Sequence, residues 1–169
     1  MARLSQELES HIEKQTRLLG KFGIDCVIVG GVAATLYGSE IPTTDLDVCY
    51  SRSAANLQRV AEALQSVNAQ LRNVPPDLPF LLDSETLRRG LNFTFTTDIG
   101  SIDLLGEVSG LGFYDNLLED AVTYELFGYL FPVVNIEKLI IAKKAAGRPK
   151  DLLMIAELEA LKERPSDIS

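Results

Sequence analysis

The chain has 169 residues, 46% of them apolar and 24% charged, which suits one compact domain with a substantial core. Its formal net charge of -8 argues against a broad grip on DNA or RNA, which needs a basic surface. No apolar run nears the ~18 residues of a membrane span, so no membrane partner is expected.

The opening, MARLSQELESHIEKQ, is polar and acidic rather than basic and then apolar, as an export leader would be, and predicts a cytoplasmic home. Leu4, Leu8, Ile12, Leu19 and Phe22 fall near helical spacing and predict an amphipathic helix over 4–22, with Gly20 and Gly23 at its end. Asp25 to Val29 is short and almost wholly apolar, as in a strand buried on both faces. Gly30 and Gly31 form a turn into a short helix from Val32 to Tyr37. Gly38 closes that helix, and a polar turn carrying Pro42 leads to a second strand, Asp45 to Tyr50. Cys26 and Cys49 are the only cysteines and fall in these two strands, where reduced core thiols are expected, although neighbouring strands can bring such a pair together.

Ser53 caps a predicted helix through Val67, with Leu57, Val60, Ala61 and Leu64 on one face. A strand over Gln70 to Val74 is expected to run into the PPDLP loop, where prolines bar regular structure. Ser84 and Glu85 open a helical turn that stops at Gly90. Leu91 to Thr96 alternates apolar and polar, Asp98-Ile99-Gly100 turns, and Ser101 to Leu105 returns as the second arm of a hairpin. The glycine-rich 106–113 stretch predicts a loop, followed by two short strands on either side of Gly128. Asn135 caps a helix ending at Gly147, and Pro149 opens a last helix with Leu152, Leu153, Ile155, Ala156, Leu158 and Leu161 as its apolar face. The terminal RPSDIS is expected to fray. The expectation is a single domain over 1–169: an N-terminal helix (1–23), a sheet core (24–134) and C-terminal helices (135–165). Its class is α+β, with a mixed, mostly antiparallel sheet flanked by helices.

Chemistry concentrates in VIVGGVAATLYGSEIPTTDLDVCY, residues 27–50. Asp45 and Asp47 are separated by one residue on a strand, so both point to one face. Adjacent carboxylates repel unless a cation lies between them, and an all-oxygen donor set suits Mg2+ or Mn2+. A pair of solvated strand acids is the plain alternative. Asp103 joins the pair if its strand lies beside theirs, and its position suits a base taking a hydroxyl proton; a hairpin acid in solvent is its alternative. Glycines between strand and helix let backbone N–H groups approach a phosphate, although turn geometry alone accounts for many such pairs. Ser39, Thr43 and Thr44 offer hydroxyls, or are only turn residues. With one histidine, His11, a His-dependent triad has no material.

The glycine pair, helix, TTDLDV and later GSIDLLGE, together with EKLIIAKKAAGRPKDLLMIAEL, resemble the DNA polymerase β-like nucleotidyltransferase superfamily. The resemblance is to its small bacterial members, the minimal nucleotidyltransferases and the toxin-type enzymes of abortive-infection systems, and its anchors span about residues 27–160. It implies Mg2+-dependent transfer of NMP from an NTP to a hydroxyl of an unknown acceptor, with release of pyrophosphate. It implies Asp45, Asp47 and Asp103 as metal ligands and Asp103 as the catalytic carboxylate. Nucleotide contacts are expected from Gly30, Gly31, Thr43, Thr44, Lys143 and Lys150. Similar proteins often carry arginine four residues before the first metal acid and another acid in the last helix. Here those positions are Ile41 and Met154. A non-catalytic nucleotide-binding or antitoxin-like regulatory domain of the same fold is the alternative, and self-association is left open.

Overall fold

The computed structural model describes residues 6–75 and 77–164, with side chains from residue 11 onward. Leu4, the side chain of Leu8, Pro76 of the PPDLP loop and the tail from residue 165 lie outside the described residues. Helix α1 spans Gln6–Lys21 and is followed by strand β1, Cys26–Val29, which is buried throughout. Helix α2 (Gly30–Leu36) leads to β2 (Asp45–Tyr50), and α3 (Ala54–Ser66) to the two-residue β3 (Gln70–Leu71). Next come α4 (Ser84–Arg89), β4 (Phe93–Thr97) and β5 (Gly100–Leu105). A small hairpin, β6 (Glu107–Val108) and β7 (Gly112–Phe113), precedes α5 (Tyr114–Leu118). Strands β8 (Val122–Leu126) and β9 (Tyr129–Val133) form a second hairpin, before α6 (Ile136–Ala146). A 3-10 turn at Pro149–Asp151 runs into α7 (Leu152–Lys162).

The main sheet has seven strands in the order β3-β4-β5-β2-β1-β9-β8. Only β2–β5 and β1–β9 pair in parallel, and the other four pairings are antiparallel. The expected α+β class with a mixed, mostly antiparallel sheet is therefore present. β1 and β2 lie at the centre, which explains why both are almost wholly apolar apart from the two acids. The core gathers Val27, Ile28, Leu46, Val48 and Tyr50 from these strands, Ile102 and Leu104 from β5, and Leu57, Val60 and Leu64 from α3. Ser53 caps α3 by accepting from Asn56 N at 3.2 Å. The Asn56 side chain in turn accepts from Asp25 N at 2.8 Å and donates to Ser51 O at 2.7 Å, fastening the helix to the ends of both central strands. Among the described residues, no helix is long and apolar enough to cross a membrane.

Four expectations need correction. The strand after α3 stops at Leu71 instead of Val74, because Asn73 takes a left-handed backbone (φ 64°) that breaks the ladder. The 106–113 stretch is not a plain loop, since Glu107 and Val108 pair with Phe113 and Gly112. Gly20 does not end α1. It lies inside the helix, where a Cβ would run into the Tyr129 ring, so it marks a close helix–strand contact. The inward face of α7 is carried by Met154 and Leu158, while Leu152 and Leu153 are 68% and 71% exposed. Apolar residues lie all round α7, so the sequence does not single out the side that turns inward. As for the cysteines, register pairs Cys26 with Tyr50 and Cys49 with Val27. The two thiols therefore point to opposite faces of the sheet, and both are free and buried.

Candidate functional site

The parallel ladder between β2 and β5 sets the site. Asp47 lies opposite Asp103, and Asp45 opposite Ser101. Cross-strand partners share a face, so all three carboxylates emerge on one side of the sheet. On the other flank of β2, Val29 ends β1 opposite Asp47, and the chain turns immediately into Gly30. Gly30 has φ 67°, a left-handed conformation open to glycine, and a Cβ there would fall on Asp47 Oδ2. A Cβ on Gly31 would fall on Thr43 Oγ1. The glycine pair thus makes room for the Asp47 carboxylate and for the turn that precedes it.

Two of the carboxylates, Asp47 and Asp103, line a cleft of about 330 Å³. Gly30, Asp47, Asp103, Lys143 and Arg148 form its polar wall, and Leu105, Val108, Leu111, Leu139 and Ala142 its apolar one. The apolar wall comes from the end of β5, the small hairpin and α6. Asn135 positions α6 by accepting from Lys138 N at 2.8 Å, and Gly147 closes it in the left-handed conformation.

Electrostatics mark the cluster as short of positive charge. Burial, then the Asp103 and Asp45 carboxylates, push Asp47 up to about 7. Asp47 Oδ1 is buried and has no hydrogen-bond partner. Burial and Asp45 also raise Asp103, with Arg72 opposing them. The Arg72 guanidinium reaches Asp103 Oδ1 at 2.5 Å through Nη2 and Asp45 Oδ1 at 3.6 Å through Nη1. No three or more Asp, Glu, His or Cys side chains among the described residues stand closed around a metal position. Arg72 bridges two of the three acids instead. The donor set still fits a hard divalent cation, because it is all oxygen and includes one buried carboxylate oxygen without a partner.

The other expected contacts divide. Lys143 lines the cleft, with Nζ 3.6 Å from Asp151 Oδ1. Arg148 holds the same carboxylate with Nε at 2.7 Å from Oδ2 and Nη2 at 3.2 Å from Oδ1. Asp151 is 4% exposed; burial would raise it, but Arg148 and Lys143 outweigh burial and hold it below the usual carboxylate range. Lys150 is exposed and is not part of the cleft wall. Thr43 Oγ1 donates to Asp45 O at 3.4 Å, and Thr44 is exposed beside it. Ser39 is buried and bonded to Glu157 of α7, and Glu157 also accepts from Glu40 N at 3.0 Å. The last helix therefore ties down the turn that leads into the acids. Ile41 packs on the core, and Met154 is buried in it.

Two features escape a reading of the sequence. Arg72 becomes visible only through register, since its N–H donates to Thr94 O at 2.9 Å and Thr94 is paired with Asp103. The pairing of Asp151 with Arg148 and Lys143 appears only once the chain bends at Gly147, although all three fall in the run that carries the resemblance.

No family model matches the sequence, and no curated protein matches it. Solved structures do. TM1012 of Thermotoga maritima, a provisionally assigned nucleotidyltransferase, superposes with a TM-score of 0.60 at 15% identity, covering 96% of this chain and 98% of that one. The lincosamide antibiotic adenylyltransferase LnuA, solved with lincomycin bound, gives a TM-score of 0.59 at 12% identity, over 90% of this chain and 97% of that one. At these identities the likeness is one of fold, and the fold of this chain is that of known nucleotidyltransferase structures.

Proposed function

We propose that the chain is an Mg2+-dependent nucleotidyltransferase that moves NMP from an NTP to a hydroxyl of a small-molecule acceptor. The observation that carries this is the convergence of Asp45, Asp47 and Asp103 on one face, with a buried Asp47 oxygen left without a partner. Asp45, Asp47 and Asp103 would hold the cation. When bound, such an ion neutralises triphosphate charge and favours ionisation of the attacking hydroxyl. Lys143 and the two glycines that open α2, Gly30 and Gly31, would face the phosphates, with Thr43 and Thr44 at the rim; Lys150, outside the cleft wall, is left to a longer-range attraction. The acceptor oxygen bonds to Pα, the bond from Pα to the oxygen bridging to the β-phosphate breaks, and pyrophosphate leaves. The hydroxyl proton passes to Asp103, whose affinity for protons is raised by burial and by Asp45.

Three observations support a small acceptor. The cleft is about 330 Å³ and half apolar. The net charge of -8 disfavours a polyanion. LnuA, of like fold, is an adenylyltransferase of a small antibiotic. The bridge from Arg72 to Asp103 and Asp45 also suits a chain that binds nucleotide without turnover. One experiment separates the two. Purified protein is incubated with Mg2+, each α-32P-labelled NTP and a cell extract, beside Asp103→Asn. Transferase activity predicts label in a product of small-molecule size and matching pyrophosphate release, both lost in the variant. Label on protein or RNA overturns the small acceptor, and nucleotide binding without pyrophosphate release favours the non-catalytic reading.

A further inference from the structure

Arg72, directly after β3, continues a row formed by Thr94, Asp103 and Asp47 on three neighbouring strands. Asp47 is paired with Asp103, Asp103 with Thr94, and Thr94 O accepts the Arg72 N–H. Side chains in such a row share a face. Thr94 is short and exposed, so the arginine can lie over it and reach the acids beyond. Its guanidinium meets Asp103 at 2.5 Å and Asp45 at 3.6 Å, and it remains 23% exposed. It thus has both a present partner and a path to solvent.

We infer that Arg72 is a resident counter-ion that leaves the carboxylates when a divalent cation arrives and then grips the triphosphate. This rests on the function proposed above. A cation held by Asp45 and Asp103 takes over the charge that Arg72 now balances and repels the guanidinium, which must turn away. A planar guanidinium forks readily onto phosphate oxygens, and a nucleotide bound over the acids places them within its swing. Arg72 would also supply, from just past the end of β3, the positive charge that Ile41 does not.

The test compares wild type, Arg72→Gln and Arg72→Lys for Mn2+ binding by electron paramagnetic resonance. Calorimetry then measures binding of the four α,β-methylene NTPs in saturating Mn2+, and thermal melts verify folding. Without nucleotide, Arg72→Gln should bind Mn2+ about three- to fivefold more tightly, as expected for losing one partly exposed ion pair that competes with it. With Mn2+ present, it should bind the nucleotide analogue about tenfold more weakly, the scale of a charge-assisted contact. Arg72→Lys, which keeps the charge without the fork, should match wild type toward Mn2+ yet weaken nucleotide binding. Equal or weaker Mn2+ binding by Arg72→Gln overturns the competition while leaving the metal site standing. Undiminished nucleotide binding overturns the phosphate role. Absence of Mn2+ binding in wild type and Arg72→Gln alike overturns this inference together with the proposed function.

Discussion

Asp47 is the residue on which stability and chemistry pull apart. Its carboxyl titrates near 3.8 when free and near 7 in the fold, so the native state holds the proton more tightly between those values. Stability therefore falls as pH rises through that window, and the ionised fold is the strained one. Asp47→Asn removes the penalty. It should raise the melting temperature at pH 8, by a free energy on the order of 4 kcal/mol at most, and change little at pH 4. Equal shifts at both pH values would show that Asp47 is not the buried acid described. Gly30 fails in the opposite sense. Gly30→Ala places a Cβ at φ 67° and against Asp47 Oδ2, and urea titration should show a loss of about 1–3 kcal/mol with weakened Mn2+ binding. The alternation of Asp45 and Asp47 was legible in the sequence because strand geometry fixes it. The partnership of Arg72 was not, because it depends on which strands lie side by side.

Elements place these residues, and caps place the elements. Helix α6 carries Leu139 and Lys143 into the cleft and begins at an Asn135 cap. Asn135→Ala should cost about 1 kcal/mol in urea unfolding, and an unchanged midpoint would contradict the cap. Helix α7 acts at a distance, through Glu157 on Ser39 and Glu40. Glu157→Ala leaves the buried Ser39 hydroxyl without that partner, at about 1–3 kcal/mol, and frees the turn before Asp45. Calorimetric Mn2+ affinity should fall with it, and undisturbed binding would show that the turn holds itself. Capped helices and turn-closed hairpins were readable because Asn, Ser and Gly signal their positions locally. The α7 face was misread because apolar residues lie all round that helix, so its sequence does not single out one side. The β6–β7 hairpin was missed because pairs of two residues carry too little alternation to see.

For the whole molecule, the sheet order and α6 bring together segments far apart in the sequence, with Arg72, Asp103 and Lys143 meeting around β2. The crossover that makes β2 and β5 parallel neighbours has no local signature, so the convergence of the three acids was an expectation conditional on topology. The order β3-β4-β5-β2-β1-β9-β8 supplies that condition. The same order seals both cysteines in the central strands, on opposite faces, and burial pushes each thiol up to about 12. Native protein at pH 8 should leave both thiols unmodified by a disulfide reagent and expose two on denaturation, whereas rapid native labelling would mean that the centre of the sheet opens. The central claim is tested most directly by anomalous diffraction from crystals soaked in MnCl2 and an α,β-methylene NTP. The account predicts a manganese peak bounded by Asp45, Asp47 and Asp103, with Arg72 turned onto the phosphates. A map without such a peak, Arg72 still bridging Asp103 and Asp45, would contradict it.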